Sequence, residues 1–433
     1  MHTEEDQTLT LPPAQISSPS AASASQRRMV VPDIARGVML WGIAIANVAT
    51  AWVVIGGGQM TTAGRVVNGS WWDALVIMFT TSFVHSRGFP MFATLLGFGL
   101  GIIAMSLYRR GYPLSAARGV LARRYGLLSV FGILHAVFLF WGDIMVTYGL
   151  LGLVLITLIT VRTKILLWIA GSMFTMTCLM GVVGSLFMTS VLGSDWLSTS
   201  ADAELLLGSS ETYGRVMLTG LLLMLMNLLG FPVQAFMLLP LVIIGFVAAR
   251  EGVLADPARY RKVLVWTATF GAVVAVGTGV PAGLEAIGVL DTGIFAVLTM
   301  TLGTAAGPGF IALLALLLNG AQQKADAGQK LSAPLWALAA LGRRSMTGYV
   351  LQSVIFLIVF APFALGLFAH AGAGLLLLVG TGGWLLTLGF ACLLEARGKK
   401  GPFEAVHRRL SYGKKGLVRQ WVPQYPSASS SPL

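Results

Sequence analysis

Charge is scarce in this chain. Asp, Glu, Lys and Arg together make up 11% of its 433 residues, against about a quarter in an ordinary soluble domain. With a mean hydropathy of +0.80, the sequence cannot clothe a water-soluble surface of this size. Cysteine is scarcer still, and both examples, Cys178 and Cys392, fall inside apolar runs. Two such residues give no disulfide framework and read as small hydrophobic fillers. The five histidines show no HExxH or paired-ligand spacing, and no CxxC is present, so no metal site is expected. A P-loop and a dinucleotide fingerprint are also missing, and the first 32 residues lack the apolar core of a signal peptide. Acidic residues number 17 against 29 basic ones, a formal net charge of +12. Because the positive charge sits beside apolar runs, it points to membrane orientation and anionic lipid rather than to nucleic acid.

Long apolar stretches are abundant. We read spans near 35–55, 88–108, 121–141, 143–161, 165–191, 216–249, 263–283, 292–318, 345–368 and 373–394. A run of roughly 20 residues at 1.5 Å each matches the hydrocarbon thickness, and backbone groups in lipid must pair internally. The expected fold is therefore an all-α, polytopic transmembrane helix bundle of about ten spans. Basic clusters follow alternate spans: Arg109 to Arg124, Arg162 with Lys164, Arg259 with Arg261 and Lys262, Lys324 to Arg344, and Arg397 with Lys399 and Lys400. The intervening gaps carry Asp195, Asp202, Glu204 and Glu211, or Glu285 and Asp291. This alternation places both termini in the cytoplasm. The segment 72–84 would invert that order if it crossed, so it is expected as an outer interfacial or re-entrant helix. Pro232 and Pro240 should kink or break the sixth stretch. Residues 1–32 and 417–433 read as disordered tails, 33–396 as the membrane domain, and 397–416 as a cytoplasmic amphipathic helix.

Ionisable side chains at membrane depth are costly and mark candidate sites. The first span opens VPDIARGVMLWGIAIAN, where Asp33 and Arg36 share a helix face. They form either a local ion pair or a site for a phosphate-bearing donor, which the planar guanidinium suits. The segment GILHAVFLFWGDIMVTYGLLG brings His135, Asp143 and Tyr148 to one outer turn. An imidazole beside a carboxylate is a candidate general base; a buried, hydrogen-bonded histidine is the plainer alternative. In FVHSRGFPMFATLLGFGLG, His85 and Arg87 are candidate substrate contacts, although a lone His and Arg more often do nothing chemical. LGRRSMTGYVLQSVIF carries a polar stripe of Arg343, Arg344, Ser345, Thr347, Tyr349, Gln352 and Ser353, from which Tyr349 and Gln352 are the candidate substrate contacts. In GPFEAVHRRLSYG, Pro402 and Glu404 suit a helix start, and Phe403, Val406 and Leu410 form an apolar stripe against the inner leaflet.

Taken in order, DIARGVMLWGIAIAN, FPMFATLLGFGLG, GILHAVFLFWGDIMVTYGLLG, GRRSMTGYVLQS and GPFEAVHRRLSYG resemble the YeiB-like family of bacterial membrane proteins, the domain of unknown function 418. That family is in turn similar to transmembrane acyltransferases such as heparan-α-glucosaminide N-acetyltransferase and the acyltransferase-3 group. The resemblance implies transfer of an acyl group from a cytoplasmic coenzyme A thioester to an acceptor across the membrane. The Arg36–Gly37 pair followed ten residues later by Asn47 matches the glucosaminide enzyme, which implies donor contacts for Asp33, Arg36 and Asn47. The outer-loop histidine of that enzyme has no counterpart in GGGQMTTAGRVVNGSWW. His135 therefore stands as the expected base, with Asp143 orienting it.

The expected function is an acyl-CoA-dependent transferase acting on a cell-envelope glycan or glycolipid in the bacterial plasma membrane. The partners expected are the lipid bilayer and a small-molecule or glycolipid acceptor. A transporter or flippase of an envelope precursor, or a scaffold without a small-molecule site, are the alternatives. The sequence leaves the oligomeric state open.

Overall fold

A computed structural model describes residues 29–58, 61, 63–192 and 211–421. His2, Asp195, Asp202, Glu204 and most of both expected tails lie outside the described residues. The fold is all helical, with no strand among the described residues. In chain order the helices are α1 (Val30–Asn47), α2 (Trp71–Phe83), α3 (Gly88–Arg109), α4 (Leu114–Phe138), α5 (Met145–Thr157), α6 (Thr163–Leu192), α7 (Tyr213–Leu229) and α8 (Phe231–Arg250). They continue with α9 (Arg261–Ala286), α10 (Ile294–Met300), α11 (Ala306–Leu317), α12 (Asn319–Asp326), α13 (Ala333–Gly342), α14 (Ser345–Phe360), α15 (Ala373–Ala396) and α16 (Pro402–Tyr412). After Asn47, α1 passes through a π-helical turn, Val48–Trp52, and ends at Ile55.

Among the described residues, eight helical stretches are long and apolar enough to cross a membrane. The shorter apolar rods α5 and α14 complete the ten spans expected. Large side chains face outward from several of them, with Trp168 80%, Trp266 75% and Val273 66% exposed. Such faces are stable only against lipid tails, so the chain is a multi-pass membrane protein.

Helix α2 has 13 residues, about 20 Å of rise, which is shorter than the hydrocarbon core. Ser70 caps it by accepting from the Asp73 N–H. It joins α3 through a turn in which Ser86 has a φ of 57°. The sixth stretch is broken, as its prolines require. Helix α7 stops at Gly230, Pro232 lies in the first turn of α8, and Pro240 lies inside α8. Helix α8 lies against α3 at very close range. A Cβ on Gly97 would stand 1.8 Å from the Val242 carbonyl oxygen, and one on Gly245 would stand 1.8 Å from that of Thr94. Small residues on both helices let the backbones touch, a usual device where lipid removes the hydrophobic drive between helices.

Three boundaries depart from expectation. Helix α1 begins at Val30 rather than Asp33, and its first N–H donates to Gln322 Oε1 on α12 at 2.7 Å. The gap between the eighth and ninth spans contains α13, which packs across the start of α1: the Gly342 Cα lies beside the Asp33 carbonyl, and that of Gly37 beside the Leu338 carbonyl. Its ten residues were too few to read as a span. The chain expected to be a tail from 417 instead packs back as far as Trp421. The Trp421 N–H donates to the Arg110 carbonyl at 2.8 Å, and its ring lies 4.8 Å from that of Tyr112.

Candidate functional site

A cavity of about 780 Å³ opens at the end of the bundle where the basic loops gather. By the positive-inside rule this is the cytoplasmic end. Arg36, Arg124, Arg343, Arg344, Lys399, Lys400 and Arg408 line it against three carboxylates, Asp33, Glu395 and Glu404. The excess of cations gives the mouth a positive potential. Asp33 lies 3.6 Å from Arg36 one turn along α1, as the spacing implied. Glu395, near the end of α15, binds Arg343 and Arg344 at 2.5 Å each, and Arg344 also donates to the carbonyls of Lys399 and Ala340. These forks hold the α13–α14 junction to α15, so the mouth is built on packed helix ends.

Two of the sequence blocks interlock beside the mouth. Glu404 in the first turn of α16 accepts from the Thr347 N–H at 2.9 Å and from the Thr347 hydroxyl. Thr347 Oγ1 in turn accepts from the Phe403 N–H at 3.2 Å. Each helix start thus caps the other. A Cβ on Gly401 would overlap the Glu404 carboxylate and the Thr347 hydroxyl, which explains the glycine in GPFE. His407 is buried under this helix, with Nε2 2.9 Å from the Arg124 carbonyl. Burial, with the Arg124 charge adding to it, holds its pKa down to about 4.

Deeper in, the cavity walls turn apolar: Leu40, Ile43, Phe92, Leu95, Met145 and the rings of Tyr148 and Tyr349. The Tyr148 hydroxyl donates to the Phe89 carbonyl at 2.6 Å. Tyr349 closes the inner end, its hydroxyl 3.4 Å from the Gly142 carbonyl. Behind it stands His135, with ring centroids 4.9 Å apart. His135 Nδ1 lies 2.8 Å from Asp143 Oδ2, at hydrogen-bond distance but bent away from hydrogen-bond geometry; neither atom has another partner among the described residues. The other carboxylate oxygen, Oδ1, accepts from the Val146 N–H at 2.9 Å and so caps the start of α5. His135 and Asp143 are 3% and 4% exposed. Neither lines the cavity, which stops one aromatic ring short of them.

The remaining candidates lie elsewhere. Asn47 is eleven residues beyond Arg36, about 16 Å along the helix axis, and does not line the cavity. Gln352 is buried, its amide donating to the Leu40 carbonyl at 3.3 Å and the Thr387 hydroxyl at 3.5 Å, so it fastens α14 to α1 and α15. Arg87 is fully buried and donates to the carbonyls of Ser82, Ala275 and Thr299 and to the Thr278 hydroxyl. It joins the α2–α3 turn to α9 and α10, with His85 buried beside it. The structure brings neither to the cavity. Ser353 and Glu395 had no role of their own in the sequence reading, and Glu404 was read only as suiting a helix start. Ser353 belonged to the polar stripe, but its partner His135 is 218 positions away.

The chain is similar to a known protein along most of its length. The uncharacterized protein YxaH of Bacillus subtilis (strain 168) is 23% identical over 416 residues, covering 90% of this chain and 95% of that protein. No solved structure matches. Residues 248–414 match the family described as protein of unknown function, DUF418. Tyr349, Ser353, the Arg343–Arg344–Glu395 clamp and the interlocked starts of α14 and α16 all lie within that matched stretch.

Proposed function

We propose that the protein transfers an acyl group from a coenzyme A thioester, bound at the inner face of the bacterial plasma membrane, to a hydroxyl of a cell-envelope glycan or glycolipid. The observation that carries this reading is the shape of one cavity. Its mouth is ringed by guanidinium and ammonium groups, its throat is apolar, and its inner end rests on a tyrosine ring stacked near a His–Asp pair. Phosphates of the donor suit the planar forks of Arg36 and Arg124 and the ammonium groups of Lys399 and Lys400. An acyl-pantetheine arm suits the throat of Leu40, Ile43, Phe92 and Leu95. His135, held by Asp143, supplies a general base at the far end of that arm.

Purified protein with labelled acetyl-CoA and an envelope extract tests the reading. Binding is expected, together with protein-dependent transfer into the extract. Arg36→Ala should weaken donor binding about tenfold, the size of one charge-assisted contact, and the deficit should shrink as salt is raised. Absence of both coenzyme A binding and transfer would sink the assignment.

A further inference from the structure

Ser353 lies on α14 one turn beyond Tyr349, and its Oγ is 2.8 Å from His135 Nε2. On the opposite side of the imidazole, Nδ1 lies 2.8 Å from Asp143 Oδ2. Although the contact is bent from hydrogen-bond geometry, the neighbouring carboxylate favours the tautomer with the proton on Nδ1. In the neutral ring Nε2 is then an acceptor, and the Ser353 O–H is its donor. The competing acceptor for that hydroxyl, the Tyr349 carbonyl one turn back, is farther away at 3.3 Å. Hydroxyl, imidazole and carboxylate therefore stand in the order that activates a serine.

Three separate elements deliver these groups: α14, α4 and the turn before α5. All three are buried, Ser353 at 3% exposure. The stacked pair Trp52–Phe140 at 4.5 Å, with Phe356 beside it, encloses the site on the side away from the cavity mouth. The Tyr349 ring stands between it and the throat, its hydroxyl 3.4 Å from the Gly142 carbonyl and bonded also to the Ile144 backbone.

We propose that Ser353 is a nucleophile that carries the acyl group between donor and acceptor, so that transfer runs by double displacement. The proposal rests on the acyl-transfer reading above. In the first step Ser353 Oγ attacks the thioester carbonyl while His135 Nε2 takes the hydroxyl proton. An oxygen–carbon ester bond forms, the carbon–sulfur bond breaks, and His135 passes the proton to the departing thiolate. In the second step the acceptor hydroxyl attacks the acyl-serine and His135 takes its proton. The serine ester breaks and the proton returns to Ser353 Oγ. Nothing is oxidised or reduced. Tyr349 swings aside to admit the thioester, and the aromatic enclosure keeps water from the ester.

A fluorophosphonate probe tests this without donor or acceptor, because it reacts preferentially with base-activated serines. Full-length protein in detergent micelles is incubated with the probe and the adduct is mapped by peptide mass spectrometry. One adduct at Ser353 is expected, absent in Ser353→Ala, at least about 100-fold slower in His135→Ala and Asp143→Asn, and faster in Tyr349→Ala. No adduct at Ser353 in either the wild type or Tyr349→Ala, each melting cooperatively, would overturn the proposal. So would an adduct that forms at the wild-type rate in His135→Ala. An adduct without turnover of acyl-CoA keeps the nucleophile and removes the donor assignment; transfer that survives Ser353→Ala does the reverse.

Discussion

Asp143 has two oxygens with different partners: Oδ1 caps α5 at Val146 and Oδ2 faces His135. Substitutions should separate the two roles. Asn can still accept from the Val146 N–H, so Asp143→Asn should melt close to the wild type. Its amide cannot fix the Nδ1 proton as a carboxylate does, and transfer should fall by orders of magnitude. Asp143→Ala should lose transfer as well and be less stable by about 1 kcal/mol, the usual worth of a cap. Equal melting temperatures for the two variants would show that the cap contributes nothing. His135 and Asp143 were legible in the sequence because one short turn joins their helices. Ser353 was not, because its partner lies in a distant part of the chain and no local spacing reports it. Gln352 looked equivalent to Ser353 by composition. Adjacent helical positions point about 100° apart, and the fold turns Ser353 to His135 and Gln352 to Leu40 and Thr387.

Helix α16 was legible as an amphipathic segment, but what it docks on was not. Its Glu404 and Thr347 interlock sets its start, and His407 under Arg124 sets its middle. The depressed His407 pKa makes this docking pH-dependent. Docked, the ring takes a proton only below about 4; released, it takes one near 6.5. Between those values release is coupled to proton uptake, so docking is full above pH 6.5 and weakens as the pH falls toward 4. Hydrogen exchange across 402–412, corrected for intrinsic rates, should rise on going from about pH 7.5 to about pH 5. In His407→Gln that extra rise should vanish, and its persistence would assign the response to another group. Helix pairing carries a second test. At the α3–α8 crossing, Gly97→Ala places a methyl against the Val242 carbonyl. Rigid backbone cannot yield there, so about 1–3 kcal/mol of stability should be lost, the usual cost of overpacking. An unchanged melting temperature in detergent would mean the helices are free to separate.

The distribution of charge decides which end of the whole bundle can meet a cytoplasmic thioester. Ten spans were readable because lipid imposes one rule on every apolar run. Segment 72–84 was read as non-crossing only by elimination: counted as a crossing, it would have sent Arg109, Arg110 and Arg118 outside. The fold gathers these arginines, Arg343, Arg344 and Lys399 at one end with the cavity mouth, while the α14–α15 loop occupies the other end of α14. Single cysteines in a background with Cys178 and Cys392 replaced by alanine can test this threading. Ser115 and Ala364 are both exposed, in the first turn of α4 and in the α14–α15 loop. A membrane-impermeant maleimide applied to intact spheroplasts should label Ala364→Cys, and should label Ser115→Cys only after permeabilisation. The opposite pattern would place the cationic mouth outside the cell, where no coenzyme A thioester reaches it. The cavity would then be left with a positive mouth and no donor.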